Sequence, residues 1–148
     1  MITEDYVSFE VAKLLKEKGF DWPCHGTYDT AVTGGKPKFS EYEVLSYFPY
    51  GMKNSDDKYD MVISAPTLQM AMKWLREVHN LFIEIQCYGC ECDEKAHFEY
   101  SYVISEYVEF NNNVCTTFGL EKRYAKSQFL SYEEACEAAI KYCLENLI

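Results

Sequence analysis

Basic residues are scarce in this chain: 14 Lys plus Arg stand against 24 Asp plus Glu in 148 residues, a formal net charge of −10. A partner whose affinity rests on phosphate neutralisation meets a repulsive mean field, which disfavours duplex nucleic acid. Local patches that include Lys36, Lys38, Lys53, Lys58 and Arg123 still leave a small anion such as a nucleotide open. Nowhere is there an apolar run near the roughly 20 residues of a spanning helix, so no membrane role is expected. The first residues are acidic at Glu4 and Asp5, with no basic segment leading into an apolar one, the opposite of a secretory signal. A cytoplasmic protein is the expectation. Seven cysteines, an odd number, show no paired framework, so reduced thiols are the default. Repeats, low-complexity tracts and linkers are absent as well, and one domain spanning residues 1–148 is expected.

What is present is a set of written-in helix ends. Ser8 is a candidate N-cap for a first helix reaching Lys18, with Val11, Ala12, Leu14 and Leu15 as its buried stripe and Gly19 as its stop. Thr67 or Ser64 caps a second helix, in which Leu68, Ala71, Met72, Leu75 and Val78 form one stripe that Met70 and Trp74 widen. Asn80 then hands the chain directly to an alternating strand, residues 81–87. Ser131 and Glu134 make a capping box for a last helix whose buried face is Ala135, Cys136, Ala139, Ile140, Cys143 and Leu147.

Between the helices, residues 20–33 carry Pro23 and lead into a Gly34-Gly35 turn, and aromatic-rich residues 39–50 fit a strand. Residues 52–60, with Asn54-Ser55-Asp56-Asp57, read as an exposed loop. Residues 97–104 alternate and pair with 81–87 as an antiparallel hairpin. Residues 114–118 add a short strand, and 119–129 form a connector. Connections this short do not allow parallel crossovers. The expected fold is therefore a two-layer α+β domain, a mostly antiparallel sheet with three helices on one face. The outer strand of the hairpin exposes an unpaired edge, which makes a homodimer an expected arrangement.

Three segments carry a resemblance: residues 6–20, the A-P-T-x-x-x-A-x-K-W-L-R-E helix from Ala65, and S-Y-E-E-A from Ser131. Together they resemble a group of small uncharacterised proteins from gut bacteria and their phages. The resemblance implies a bacteriophage or prophage origin and carries over no activity or catalytic residue.

Three chemistries follow from the remaining residues. Cys87, Cys90, Cys92 and His97 place three thiols and an imidazole in one hairpin connection, ligand types that suit tetrahedral zinc in a small structural module. Cys24-His25 is the one adjacent nucleophile and base pair, the minimum for a thiol hydrolase, although strand neighbours face opposite ways. Thirteen tyrosines and nine phenylalanines exceed what a small core holds. Tyr and Phe offer rigid surface with a polar tip for a base or a protein partner. The leading expectation is accordingly a non-catalytic binding or accessory protein that masks a host protein or sequesters a small ligand. It uses Tyr42, Tyr47, Phe48, Tyr50 and Tyr59, with no catalytic residue and no required cofactor.

Overall fold

The computed structural model describes residues 5–31, 36–41, 50–58, 61–90, 97–109 and 118–148, with Cys90, 107–109 and 118–124 described by their backbone alone. In chain order the elements are α1 (Phe9–Glu17), β1 (Gly26–Asp29), β2 (Lys38–Glu41), a short 3-10 turn (Asn54–Asp56), β3 (Val62–Ala65), α2 (Leu68–His79), β4 (Leu81–Cys90), β5 (His97–Glu109), β6 (Phe118–Phe129) and α3 (Tyr132–Asn146). This is an α+β fold. The strands divide between two antiparallel three-stranded sheets, β2-β1-β3 and β4-β5-β6, where the sequence had pointed to one. The chain likewise forms two compact units, Met1–Ala71 with Ile148, and Met72–Leu147. No described helix is long and apolar enough to cross a membrane.

In the first unit α1 begins as its sequence dictates, with Ser8 Oγ accepting from Val11 N at 3.3 Å. It ends in a Schellman motif. Phe20 N donates to Leu15 O at 2.9 Å and Gly19 N to Lys16 O at 3.1 Å, while Gly19 adopts φ +86°. Phe20 is thereby turned inward and is fully buried with Val7, Val11 and Leu15. Central strand β1 pairs with β2 (Tyr28 opposite Phe39) and with β3 (Tyr28 opposite Ile63).

Residues 52–58 expose Lys53, Ser55, Asp56 and Lys58 as their polarity implied, and the segment is in addition tied down by hydrogen bonds. Asn54 Nδ2 donates to Phe20 O at 2.7 Å, and its Oδ1 accepts from Ser64 N at 2.9 Å. Ser55 binds Asp21 through both its N and its Oγ at 2.8 Å, Asp56 accepts from Lys53 N at 2.9 Å, and Asp57 accepts from Val62 N at 2.6 Å. Four polar side chains thus replace ladder partners for backbone that would otherwise be unsatisfied. Ser64, one of the two proposed helix caps, is buried in β3 and donates to Met52 O at 2.9 Å. Thr67 is the cap instead, its Oγ1 accepting from Met70 N at 3.2 Å.

Helix α2 buries Leu68, Ala71, Trp74 and Leu75, whereas Val78, placed by periodicity in the stripe, is exposed. Val78 projects into the same arc but lies in the last turn of the helix, one residue before its end at His79. Asn80 ends α2 at φ 56°, the left-handed position that Asn tolerates better than most residues, and Leu81 starts β4 with no linker.

In the second unit β4 and β5 pair without a break from Leu81 opposite Glu106 to Cys90 opposite His97. Residues 119–129, expected as a connector, belong to the third strand of this sheet, β6. Its two bulges explain the masked periodicity. Tyr100 and Tyr102 face Phe129 and Lys126, and Glu106 and Tyr107 face Lys122 and Leu120, so each time β6 carries one residue more. Gln128, at φ 75°, lies in the first of these.

Helix α3 packs on all three strands and buries Ala135, Cys136, Ala139, Ile140, Cys143 and Leu144, Leu144 taking the place expected for Leu147. Its small residues allow close approach over Tyr102 and Ile104, both buried in β5. The cap differs in one detail from a reciprocal box. Ser131 Oγ accepts from Glu134 N at 3.1 Å, but the Glu134 carboxylate reaches one residue further back and accepts from Leu130 N at 3.1 Å.

Candidate functional site

Four rings interlock in the first unit. Phe39, on β2, lies 5.0 Å from Tyr6 and 5.3 Å from Tyr28 by ring centroids, and Tyr28 meets Phe9 of α1 edge to face at 5.5 Å. The contact between Tyr28 and Phe39 is a directly opposed cross-strand pair, the closest approach a ladder offers. Tyr6 can lie over the sheet because Gly26 has no side chain: a Cβ there would stand 2.6 Å from the Tyr6 ring. Both hydroxyls are held, Tyr28 OH donating to Val7 O at 2.9 Å and Tyr6 OH to Glu41 Oε1 at 2.6 Å. The result is a rigid aromatic surface with its polar tips engaged. Phe39 still leaves 38% of its area to solvent.

Of the five contact aromatics expected from sequence, Tyr50 is 82% exposed, on the residue before Gly51. Tyr42, Tyr47, Phe48 and Tyr59 lie outside the described residues. Sequence reasoning missed Tyr6, Phe9, Tyr28 and Phe39 as a group. A signal was present, since Tyr28 and Phe39 sit symmetrically about Thr33-Gly34 and so face each other in any hairpin closed there.

Cys87 and Cys90 both belong to strand β4, opposite Tyr100 and His97 of β5, instead of lying in the connection. Cys87, expected on a buried face with Leu81, Ile83 and Ile85, is exposed, because that face is uncovered at this end of the sheet. His97 Nε2 lies 3.2 Å from Glu99 Oε1. Cys92 lies outside the described residues, as does the side chain of Cys90. Among the described residues no three His, Cys, Asp or Glu side chains are grouped to hold a metal ion.

Cys24 does not form a dyad with His25. Its thiol is buried, donates to Trp22 O at 3.3 Å and touches Met70 Sδ at 3.7 Å, while His25 is exposed. Burial pushes the Cys24 thiol up to about 12, so near neutrality it is a protonated core group and a poor nucleophile. Burial raises Cys143 to about 12 and Cys136 to about 11 in the same way.

The second unit exposes a smaller group at the hairpin end of its sheet. Phe98 is 67% exposed and Tyr88 50%. Along β4 runs a hydrogen-bonded row, in which Tyr88 OH donates to Gln86 Oε1 and Gln86 Nε2 donates to Glu84 Oε1 at 2.8 Å. Comparison with known protein families, with curated proteins and with solved structures finds no match.

Proposed function

We propose that this chain is a non-catalytic binding protein, of the accessory kind carried by phages and integrated elements, which masks a host protein or sequesters a small ligand. The observation that carries the reading is the clamped position of Phe39, wedged between Tyr6 and Tyr28 yet still open to solvent, with Tyr50 almost wholly exposed in the same unit. Aromatic rings already fixed in place lose little conformational entropy on binding, which makes them effective anchors. The resemblance of the helices to small proteins of gut bacteria and their phages supports the accessory role.

A thermal-shift panel of nucleotides and an affinity capture from bacterial lysate test this, each repeated with Tyr50→Ala and with Phe39→Ala. The expected result is a partner or ligand bound by the native chain and lost or weakened at least tenfold by the two substitutions, a loss typical of an interface anchor. Binding that is unaffected by both substitutions, or no binding in either assay, overturns the proposal. Tyr50→Ala removes a side chain that supports nothing in the core, so it separates loss of contact from loss of fold.

A further inference from the structure

Strand β4 is the outer strand of its sheet, and among the described residues no strand pairs with its far edge. Alternate residues of such an edge turn their N–H and C=O groups away from β5, leaving them for water or for another strand. The opposite edge of the sheet is protected. Strand β6 has two bulges, and its sequence carries Lys122, Arg123 and Lys126, all features that hinder edge pairing. Strand β4 has none of these: its ten residues, LFIEIQCYGC, pair with β5 in unbroken register and contain no Lys, Arg or Pro.

We infer that β4 pairs antiparallel with β4 of a second copy of this chain, about a two-fold axis at Ile85, joining two three-stranded sheets into one of six strands. A two-fold axis perpendicular to the sheet keeps like faces together. Opposed residues must therefore share parity, which leaves registers centred on a single residue. Centring on Ile85 sets Ile85 against its own copy, Ile83 against Cys87, Phe82 against Tyr88, and Glu84 against Gln86, which can donate to it. Centring on Glu84 sets two carboxylates directly opposite each other, a destabilising pair. Centring on Gln86 keeps Ile85 against Cys87 but sets Ile83 against Gly89 and Glu84 against Tyr88, losing the aromatic match and the pairing of Glu84 with Gln86. Only the Ile85 register is complementary on both faces. Phe82 and Tyr88, 38% and 50% exposed in the single chain, are the rings it brings together.

Each copy carries a formal charge of −10, so association strengthens as salt screens the repulsion. The test is sedimentation equilibrium of the full chain at physiological and at high salt, with circular dichroism as the check on folding. The native chain is expected to be a dimer that tightens with salt. Gln86→Glu, which opposes carboxylates at two symmetric positions, weakens it about tenfold, whereas Gln86→Lys does not. Glu84→Lys combined with Gln86→Glu restores it. Independently, Ile85→Cys under mild oxidation is expected to give a disulfide joining residue 85 of two chains, read by peptide mass spectrometry. A native chain that stays monomeric, a dimer indifferent to the charge at residue 86, or cross-links that exclude residue 85 would each overturn the inference.

Discussion

Trp74 and His79 meet edge to face at the end of α2, their ring centroids 4.6 Å apart and their planes at 70°. The contact joins the buried arc of the helix to its last residue, one position before the left-handed turn at Asn80. Helix end and strand start are therefore fixed by adjacent devices, one a packing contact and the other a backbone conformation.

Asn80 should accept glycine and refuse a β-branched residue. Asn80→Gly is expected to leave stability within about 0.5 kcal/mol of the native chain, whereas Asn80→Val costs about 1 to 2 kcal/mol, since valine must enter the left-handed region. Trp74→Ala, which empties a fully packed site, is expected to cost about 3 to 5 kcal/mol. Urea denaturation monitored by far-ultraviolet circular dichroism measures all three. An Asn80→Val variant as stable as the native protein would show that the turn does not hold this conformation.

Gly26 permits the aromatic surface to form. An added Cβ would stand 2.6 Å from the Tyr6 ring and 2.7 Å from the carbonyl oxygen of Ala65, and the second neighbour is backbone that cannot swing aside. Gly26→Ala is expected to destabilise by about 1 to 3 kcal/mol, the range for overpacking. Pairing it with Tyr6→Ala should recover only part of the loss, because the clash with Ala65 remains. Full recovery in thermal or urea unfolding would place the whole effect in the ring.

The thiols should sort by burial. Among Cys24, Cys87, Cys136 and Cys143, only Cys87 is exposed, so brief maleimide labelling of the folded chain followed by peptide mapping should find Cys87 modified and the other three protected until denaturant is added. Rapid labelling of Cys143 in the native state would contradict its position on the buried face of α3.

Those buried thiols also make stability depend on alkaline pH. Their folded-state values lie at about 11 to 12, above that of an ordinary thiol, so the folded chain keeps protons that the unfolded chain releases. Stability from this source is complete below about pH 8.5 and is lost as pH rises toward 12. The urea midpoint is expected to fall between pH 8.5 and 10.5 less steeply in Cys143→Ala than in the native chain. Equal slopes would remove Cys143 from the account.

Capping at α3 is the most local test. Ser131→Ala is expected to cost about 1 kcal/mol. Glu134→Gln should cost less, because an amide oxygen can still accept from Leu130 N. A neutral Ser131→Ala would mean that the first turn finds its partner elsewhere.

Residues whose role is local were legible. Ser8, Gly19, Thr67, Asn80 and Ser131 each act on backbone groups within a few positions, and their chemistry depends on no distant element. The hairpin of β4 and β5 was legible for a similar reason, since plain alternation survives where pairing is regular. β6 was not, because two bulges shift the period and its polar, basic residues resemble a connector. The exposure of the polar run at residues 52–58 was legible, but the ties of Asn54 to the backbone of Phe20 and Ser64 were not, since a polar run looks the same in sequence whether or not it makes such contacts. The exposure of Cys87 escaped alternation because period tells which face a side chain takes, not how far along the strand α3 extends.

Composition, caps and periodicity by themselves determined an acidic α+β chain with its helix ends in place, since these follow from short-range sterics and hydrogen bonding. Tertiary structure alone decided that the strands form two sheets, that Tyr6, Phe9, Tyr28 and Phe39 share one surface, and that Cys24 is a core group beside an exposed His25. Those outcomes depend on contacts between residues far apart in the chain, whose free energies no local pattern records.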